Sequence, residues 1–180
     1  MDVLFLSPQY PLEMHDYTRG LAEVGARVFG VGDAPVGSLP PKVKAALHDY
    51  LQVPRIMDEQ DVIARVQAWL GDHQADRVEA LWEPLVLLAA RLRERLGVPG
   101  MSLDTVAGFR DKQLMKERVA AAGLRVPRSA RVTTAEEAWA AADHIGFPLI
   151  LKPIDGAGSA DTYRVEGPAD MTRALQLMGH

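Results

Sequence analysis

The sequence predicts an α/β protein, with a parallel sheet in its first part and a smaller α+β part after it. Three observations predict this. Short apolar runs alternate with helix-length amphipathic patterns from Asp2 to Met101, the mark of βαβ units whose sheet is covered on both faces. The rhythm changes after Gly108, where a lysine-bearing strand and a loop of small residues stand between helical stretches. The composition, 48% hydrophobic and 24% charged over 180 residues, suits a chain that buries a substantial core.

Taken in order, residues 2–6 (DVLFL) read as a buried strand. Residues 7–14 form a loop with two prolines. A helix is expected from an Asp16 N-cap, with Tyr17, Leu21 and Val24 inward and Gly25 as its stop. Residues 27–31 are the second strand, and 32–41 a loop rich in glycine and proline. Residues 42–48 read as a short helix and 49–53 as the third strand. Asp58 caps a helix that carries Val62, Val66, Trp69 and Leu70 on one face and ends at Gly71. Residues 77–81 are a fourth strand. Glu83 and Pro84 open a helix whose apolar face runs through Leu85, Leu88, Leu92 and Leu96 to Gly97. Residues 98–101 add a short last strand. Ligands of such sheets bind beyond the carboxyl ends of the strands, here residues 7–10, 32–34, 54–55 and 82–83.

In the second part, Asp111 opens a helix with Leu114, Met115, Val119 and Ala122 on one face, closed by Gly123. A turn at Val126-Pro127 leads to a strand near residues 129–132. Thr134 and Glu137 have capping-box spacing. Their helix carries Ala138, Trp139, Ala142 and Ile145 and ends at Gly146. Strands at 148–151 and 162–165 follow, and Gly167-Pro168 starts a last helix with Met171, Ala174, Leu175 and Met178. Three helices and about three short strands make a thin layer, so an exposed apolar face that favours a homodimer is expected here.

The bulk properties exclude several classes. A net charge of −4 argues against a nucleic-acid binder held by charge. Without cysteine there is no disulfide framework, thiolate nucleophile or cysteine-ligated metal. The five histidines show no H-x-x-x-H spacing, so no zinc site is expected. The first residues lack the basic n-region of a signal peptide. The longest aliphatic run, residues 85–90, is far below a membrane span. The expectation is a cytoplasmic protein.

Residues 147–165, FPLILKPIDGAGSADTYRV, are the most informative stretch. A strand delivers Lys152 to a loop whose glycines let backbone N–H groups approach an anion closely. The same pattern also fits a plain hairpin with Lys152 solvated and Asp155 serving the turn. No P-loop and no G-x-G-x-x-G after the first strand occur. Four segments in order then resemble one family: Arg110-Asp111-Lys112 with Met115, Ala122-Gly123 with Val126-Pro127, Gly146 to Pro153, and Gly156-Ala157-Gly158-Ser159. Together they are similar to the ATP-grasp superfamily, in its carboxylate–amine ligase branch, which includes amino-acid ligases.

The resemblance implies a Rossmann-like, pre-ATP-grasp domain over residues 1–108 and the first lobe of an ATP-grasp domain over 109–180. It implies activation of a small carboxylate as an acyl phosphate by ATP with Mg²⁺, and displacement of phosphate by an amine. By motif, Lys112 and Lys152 reach the ATP phosphates, and Gly156, Gly158 and Ser159 lie in the loop over the β- and γ-phosphates. That loop, D-G-A-G-S-A, departs from the glycine run common in the family. The second lobe, with the Mg²⁺ ligands, is expected outside this chain, which is then catalytically incomplete and carries no assignable catalytic residue. The alternative is a non-catalytic nucleotide-binding or interaction module. Glu83, at a strand's carboxyl end, reads either as a substrate contact or as a carboxylate on a helix dipole. Tyr10 and His15, in the first crevice loop, read either as substrate contacts or, the favoured reading, as incidental loop residues.

Overall fold

A computed structural model describes residues 1–154 and 160–179. The chain divides into two compact units, Met1–Val106 and Ala107–His180. No helix among the described residues is long and apolar enough to cross a membrane.

The first unit is built on four parallel strands: β1 (Asp2–Leu6), β2 (Arg27–Gly32), β3 (Leu47–Gln52) and β4 (Arg77–Glu79). Their order is β3-β2-β1-β4. All five residues of β1 are buried. Successive side chains of a strand point to opposite faces, and β1 divides accordingly. Val3 and Phe5 pack with Met14 and Val28, while Leu4 and Leu6 join Val62, Val66, Leu88 and Leu92. The first set lies beneath α1 (Met14–Glu23). The second is covered by α3 (Glu59–Leu70) and α4 (Val86–Leu96). A short helix, α2 (Pro41–Ala46), precedes β3.

Local chemistry sets the helix ends. The Asp58 side chain accepts from Asp61 N at 3.3 Å, as the expected N-cap. Gly97 closes α4 with φ of 67°, a left-handed conformation that glycine takes without a Cβ penalty.

Several expectations need correction. α1 begins at Met14 rather than after Asp16, and its buried residues are Met14, His15 and Thr18. Tyr17 and Val24 are exposed. The face is rotated because His15 and Thr18 supply hydrogen bonds to the preceding loop. β4 stops at Glu79, and the stretch after Trp82 begins as a 3-10 turn, Glu83–Leu85. Residues 98–101 are not a strand. The Arg93 guanidinium donates to Val78 O at 2.9 Å, so a side chain occupies a β4 carbonyl that a further strand could use.

The second unit contains α6 (Lys112–Ala121), α7 (Ala135–Ile145) and α8 (Pro168–Leu177). β5 (Leu149–Leu151) pairs antiparallel with β6 (Tyr163–Val165). A helix not expected from the sequence, α5 (Leu103–Arg110), leads into it. Ala138, Ala142, Val165, Met171, Ala174 and Leu175 form its core, with Trp139 partly buried against them. No residue of α6 is fully buried, against the apolar face expected for it. Residues 129–132 are not a strand. Both flanks of that segment are committed to α7: Arg128 donates to His144 O, and Thr133 donates its N–H and hydroxyl to Glu137. Thr134 Oγ1 caps α7 by accepting from Glu137 N, but the return bond from Glu137 goes to Thr133.

At the amino end of β1, Asp2 is buried and accepts two hydrogen bonds from Arg27, with His73 Nε2 at 2.9 Å. The Arg27 hydrogen bonds hold the Asp2 carboxyl below its usual 3.8, against the opposing effect of burial. A carboxyl whose folded pKa lies below its unfolded one adds stability above the unfolded value and loses it as pH falls through the folded value. Asp2→Asn is therefore expected to lower the melting temperature by a few degrees at neutral pH. The difference from the parent should close as the pH drops below 3.8. Melts followed by circular dichroism across that range test this, and a difference that persists unchanged in strong acid contradicts it.

Candidate functional site

The first unit presents a crevice where its strand order turns back. The order runs from β1 outward to β2 and β3 on one side and to β4 on the other. Ligands of open α/β sheets bind at such a point, past the carboxyl ends of the two diverging strands. The loop after β1 and the loop after β4 meet there, with the rings of Tyr10 and Trp82 edge to face at 4.9 Å.

The β1 loop is held by a run of side-chain hydrogen bonds. Thr18 Oγ1 lies 2.9 Å from Pro8 O and 2.8 Å from Met14 O, sharing its proton between them. His15 Nε2 is 2.9 Å from Gln9 O. A carbonyl only accepts, so Nε2 carries a proton. Ser7 Oγ donates to Tyr10 O at 2.8 Å, and Ser7 itself holds φ of 54°. Three consecutive carbonyls are thus fixed by buried donors. His15 is a brace for this loop rather than an incidental residue.

β2 supplies the floor. An added Cβ on Gly32 would stand 2.7 Å from the Tyr50 hydroxyl and 2.9 Å from Gln9 Oε1. Tyr50 donates to Ala34 O at 2.9 Å, and burial, with the nearby Asp33 charge, pushes its hydroxyl up to about 12. Gln9 Oε1 is buried with no hydrogen-bond partner among the described residues. Glu83 is exposed at the start of the 3-10 turn, one residue after Trp82.

The second unit holds a cavity of about 800 Å³. Its charged lining consists of Lys112, Lys116, Arg128, Arg131, Lys152 and Arg164, with no carboxylate among the described lining residues. Such one-signed clefts attract and concentrate anions. Asp111 positions the first two lysines by capping α6, accepting from Gln113 N at 2.8 Å and Leu114 N at 3.0 Å. The Leu114 N–H, then that of Gln113 and the charge of Arg131, hold the Asp111 carboxyl below its usual range. Lys112 Nζ donates to Ile154 O at 3.1 Å and so ties the start of α6 to the chain just after β5. Lys152 stands exposed immediately past β5.

Of the residues singled out from the sequence, Lys112 and Lys152 line this one cavity, and Glu83 lies in the first unit. Gly156, Gly158 and Ser159 lie outside the described residues. Sequence reasoning passed over Ser7, Gln9, Thr18 and Lys116. For Lys116 the signal was present, because four residues from Lys112 is one helical turn. For Ser7 and Thr18, nothing local announces that the side chain will reach a carbonyl, and for Gln9 nothing announces a buried acceptor.

An open parallel α/β unit followed by a small α+β unit with a cation-lined cavity defines the class of protein. Two family models match the chain: the ATP-grasp N-terminal domain over residues 22–100, and the carbamoyl-phosphate synthase L chain, ATP binding domain, over residues 111–177. A carbamoyl phosphate synthase large chain, N-terminal section, from Aquifex aeolicus (strain VF5) is 41% identical over 78 residues, which is 41% of this chain and 14% of that protein. An alanine–anticapsin ligase from Bacillus subtilis (strain 168) is 34% identical over 95 residues, 53% of this chain and 20% of that protein. The crystal structure of an L-amino acid ligase from Bacillus licheniformis superposes on 99% of this chain and 42% of its own, with a TM-score of 0.79 and 19% identity. The chain belongs to the ATP-grasp superfamily. It spans well under half the length of these relatives.

The geometry at Gly32 gives a direct test of how tightly the first crevice is packed. Gly32→Ala must displace the Tyr50 ring or the Gln9 amide, and overpacking of this kind costs roughly 1–3 kcal/mol. Urea unfolding of the variant is expected to register that loss. An unchanged midpoint would mean that the floor of the crevice is loose.

Proposed function

We propose that this chain supplies the substrate crevice and part of the nucleotide site of an ATP-dependent carboxylate–amine ligase. The observation that carries the reading is the cavity whose charged lining is entirely cationic among the described residues, with Lys112 and Lys152 both on it. Polyphosphate is the ligand such a lining suits. The matches to an ATP binding domain and to ligases that use amino acids support the same reading.

In this reading Lys112 and Lys152 hold the phosphate chain. Phosphoryl transfer is catalysed mainly by positioning and charge neutralisation, so fixed lysines are a suitable contribution. Lys112, tied to Ile154 O, keeps a set position; Lys152 adds a charge at a strand end. Gly156, Gly158 and Ser159 belong to the loop that covers the phosphates. Glu83, beside the Tyr10–Trp82 pair, contacts the carboxylate or amine substrate. Bound ATP supplies the phosphoryl group that activates the carboxylate. Among the described residues no group of three or more His, Asp or Glu side chains gathers at one point.

The experiment is ADP release by the full-length protein that carries this chain, assayed against panels of amino acids and other small carboxylates with amine acceptors. Turnover that needs both substrates is expected. Lys152→Ala should lower it by roughly a hundredfold or more, and Glu83→Gln should raise the KM of one substrate. Wild-type turnover in Lys152→Ala would refute the assignment. Nucleotide binding without substrate-dependent ADP release would favour a non-catalytic module.

A further inference from the structure

Lys116 lies one helical turn beyond Lys112 on α6, and both line the cavity together with Lys152. It is half-buried, and among the described residues no carboxylate pairs with it. The charged groups that share the lining with it are Lys112 on its own helix, Arg128 and Arg131 ahead of α7, Lys152 after β5 and Arg164 on β6. Every one is a cation. Arg131 has Asp111 at 4.0 Å and Arg164 has Glu166 at 2.7 Å, but Lys152, like Lys116, has no ion pair among the described residues. Burial, and then the charge of Lys152, depress the proton affinity of the Lys116 ammonium. Like charges that share one cavity, one of them half-buried, disfavour each other when no anion lies between them. An anion seated between them reverses the sign of that interaction.

We propose that Lys116 is a third phosphate-contacting lysine, which together with Lys152 grips the polyphosphate of the bound nucleotide. The inference rests on the nucleotide reading given above and adds a residue to it. It also has a consequence that a purely structural lysine lacks. Removing the Lys116 charge relieves repulsion in the empty protein, so the ligand-free state gains stability while the anion complex loses it.

The test uses the full-length protein and its Lys116→Gln and Lys116→Arg variants, titrated calorimetrically with ATP and, separately, with inorganic tripolyphosphate. Melting temperatures are recorded with and without each ligand. Lys116→Gln is expected to bind both ligands roughly tenfold more weakly, the worth of one charge-assisted contact. Its ligand-free melting temperature should equal or exceed that of the parent, and Lys116→Arg should recover most of the affinity. Unchanged affinity in Lys116→Gln, with the parent binding ATP, overturns the role of Lys116 and leaves the nucleotide reading in place. So does a lowered ligand-free melting temperature with the same loss in Lys116→Arg, which marks a packing role. If the parent binds tripolyphosphate but not ATP, and Lys116→Gln weakens it, the lysine role stands and the nucleotide reading falls. If the parent binds neither, both fall.

Discussion

β1 is buried along its whole length on both faces, and the first unit is arranged around that constraint. A strand so placed can carry no polar side chain in its middle without an unsatisfied group. Polar chemistry is therefore pushed to its two ends. At the amino end Asp2 meets Arg27, His73 and, through its backbone N–H, the Asp76 carboxylate. At the carboxyl end Ser7, His15 and Thr18 spend their donors on three consecutive carbonyls. The two ends differ in kind. The first closes on itself as a charge-paired cluster. The second fixes a loop and leaves Gln9 Oε1 buried without a partner among the described residues. Rigid backbone beside an unused acceptor is the more suitable arrangement for a ligand, because nothing has to be reordered before it binds.

The second unit meets the opposite problem. Its core is small, six buried residues with partly buried neighbours. Lys116 is half-buried and feels the charge of Lys152, which is itself exposed and partly screened by solvent. A whole domain is stable by only about 5–15 kcal/mol. Lys116 and Lys152, with no ion pair among the described residues, are a cost for a unit of this size. An exposed ion pair, worth about 0–1 kcal/mol, would offset little of it. The economical account is that the cations are arranged for an anion that binds there.

Much of the architecture was legible because it rests on local signals. Asp58 and Thr134 cap the helices expected of them, and Gly97 and Gly146 end theirs with positive φ. β1 and β2 are short, largely apolar runs that periodicity finds. What failed was decided by long-range partners. The α1 face depends on the needs of a loop folded back over it. Residues 98–101 lose their strand to an arginine from α4. Residues 129–132 lose theirs to α7 on both flanks. In each case a side chain reached a backbone or side-chain group distant from its own local pattern. The candidate site divides the same way. Lys112 and Lys152 stand in recognisable motifs, while the bracing of the β1 loop depends on contacts that spacing alone does not reveal.

The lysines of the cavity differ by what else they do, and this decides how each can serve a ligand. Lys112 spends a donor on Ile154 O, so part of its role is to fix the start of α6 against the end of β5. Its charge comes with a position already set. Lys116 and Lys152 make no ion pair among the described residues, and the second weakens the first's hold on its proton. Their charges are available and mutually opposed. A site with one anchored cation and two that make no ion pair among the described residues can accept an anion with little rearrangement, and an anion that binds only the folded state stabilises it. Ligand binding and the stability of this small unit are then the same quantity seen from two sides. On the proposal that a polyphosphate binds there, that coupling would let selection tolerate cations that repel one another in the empty protein.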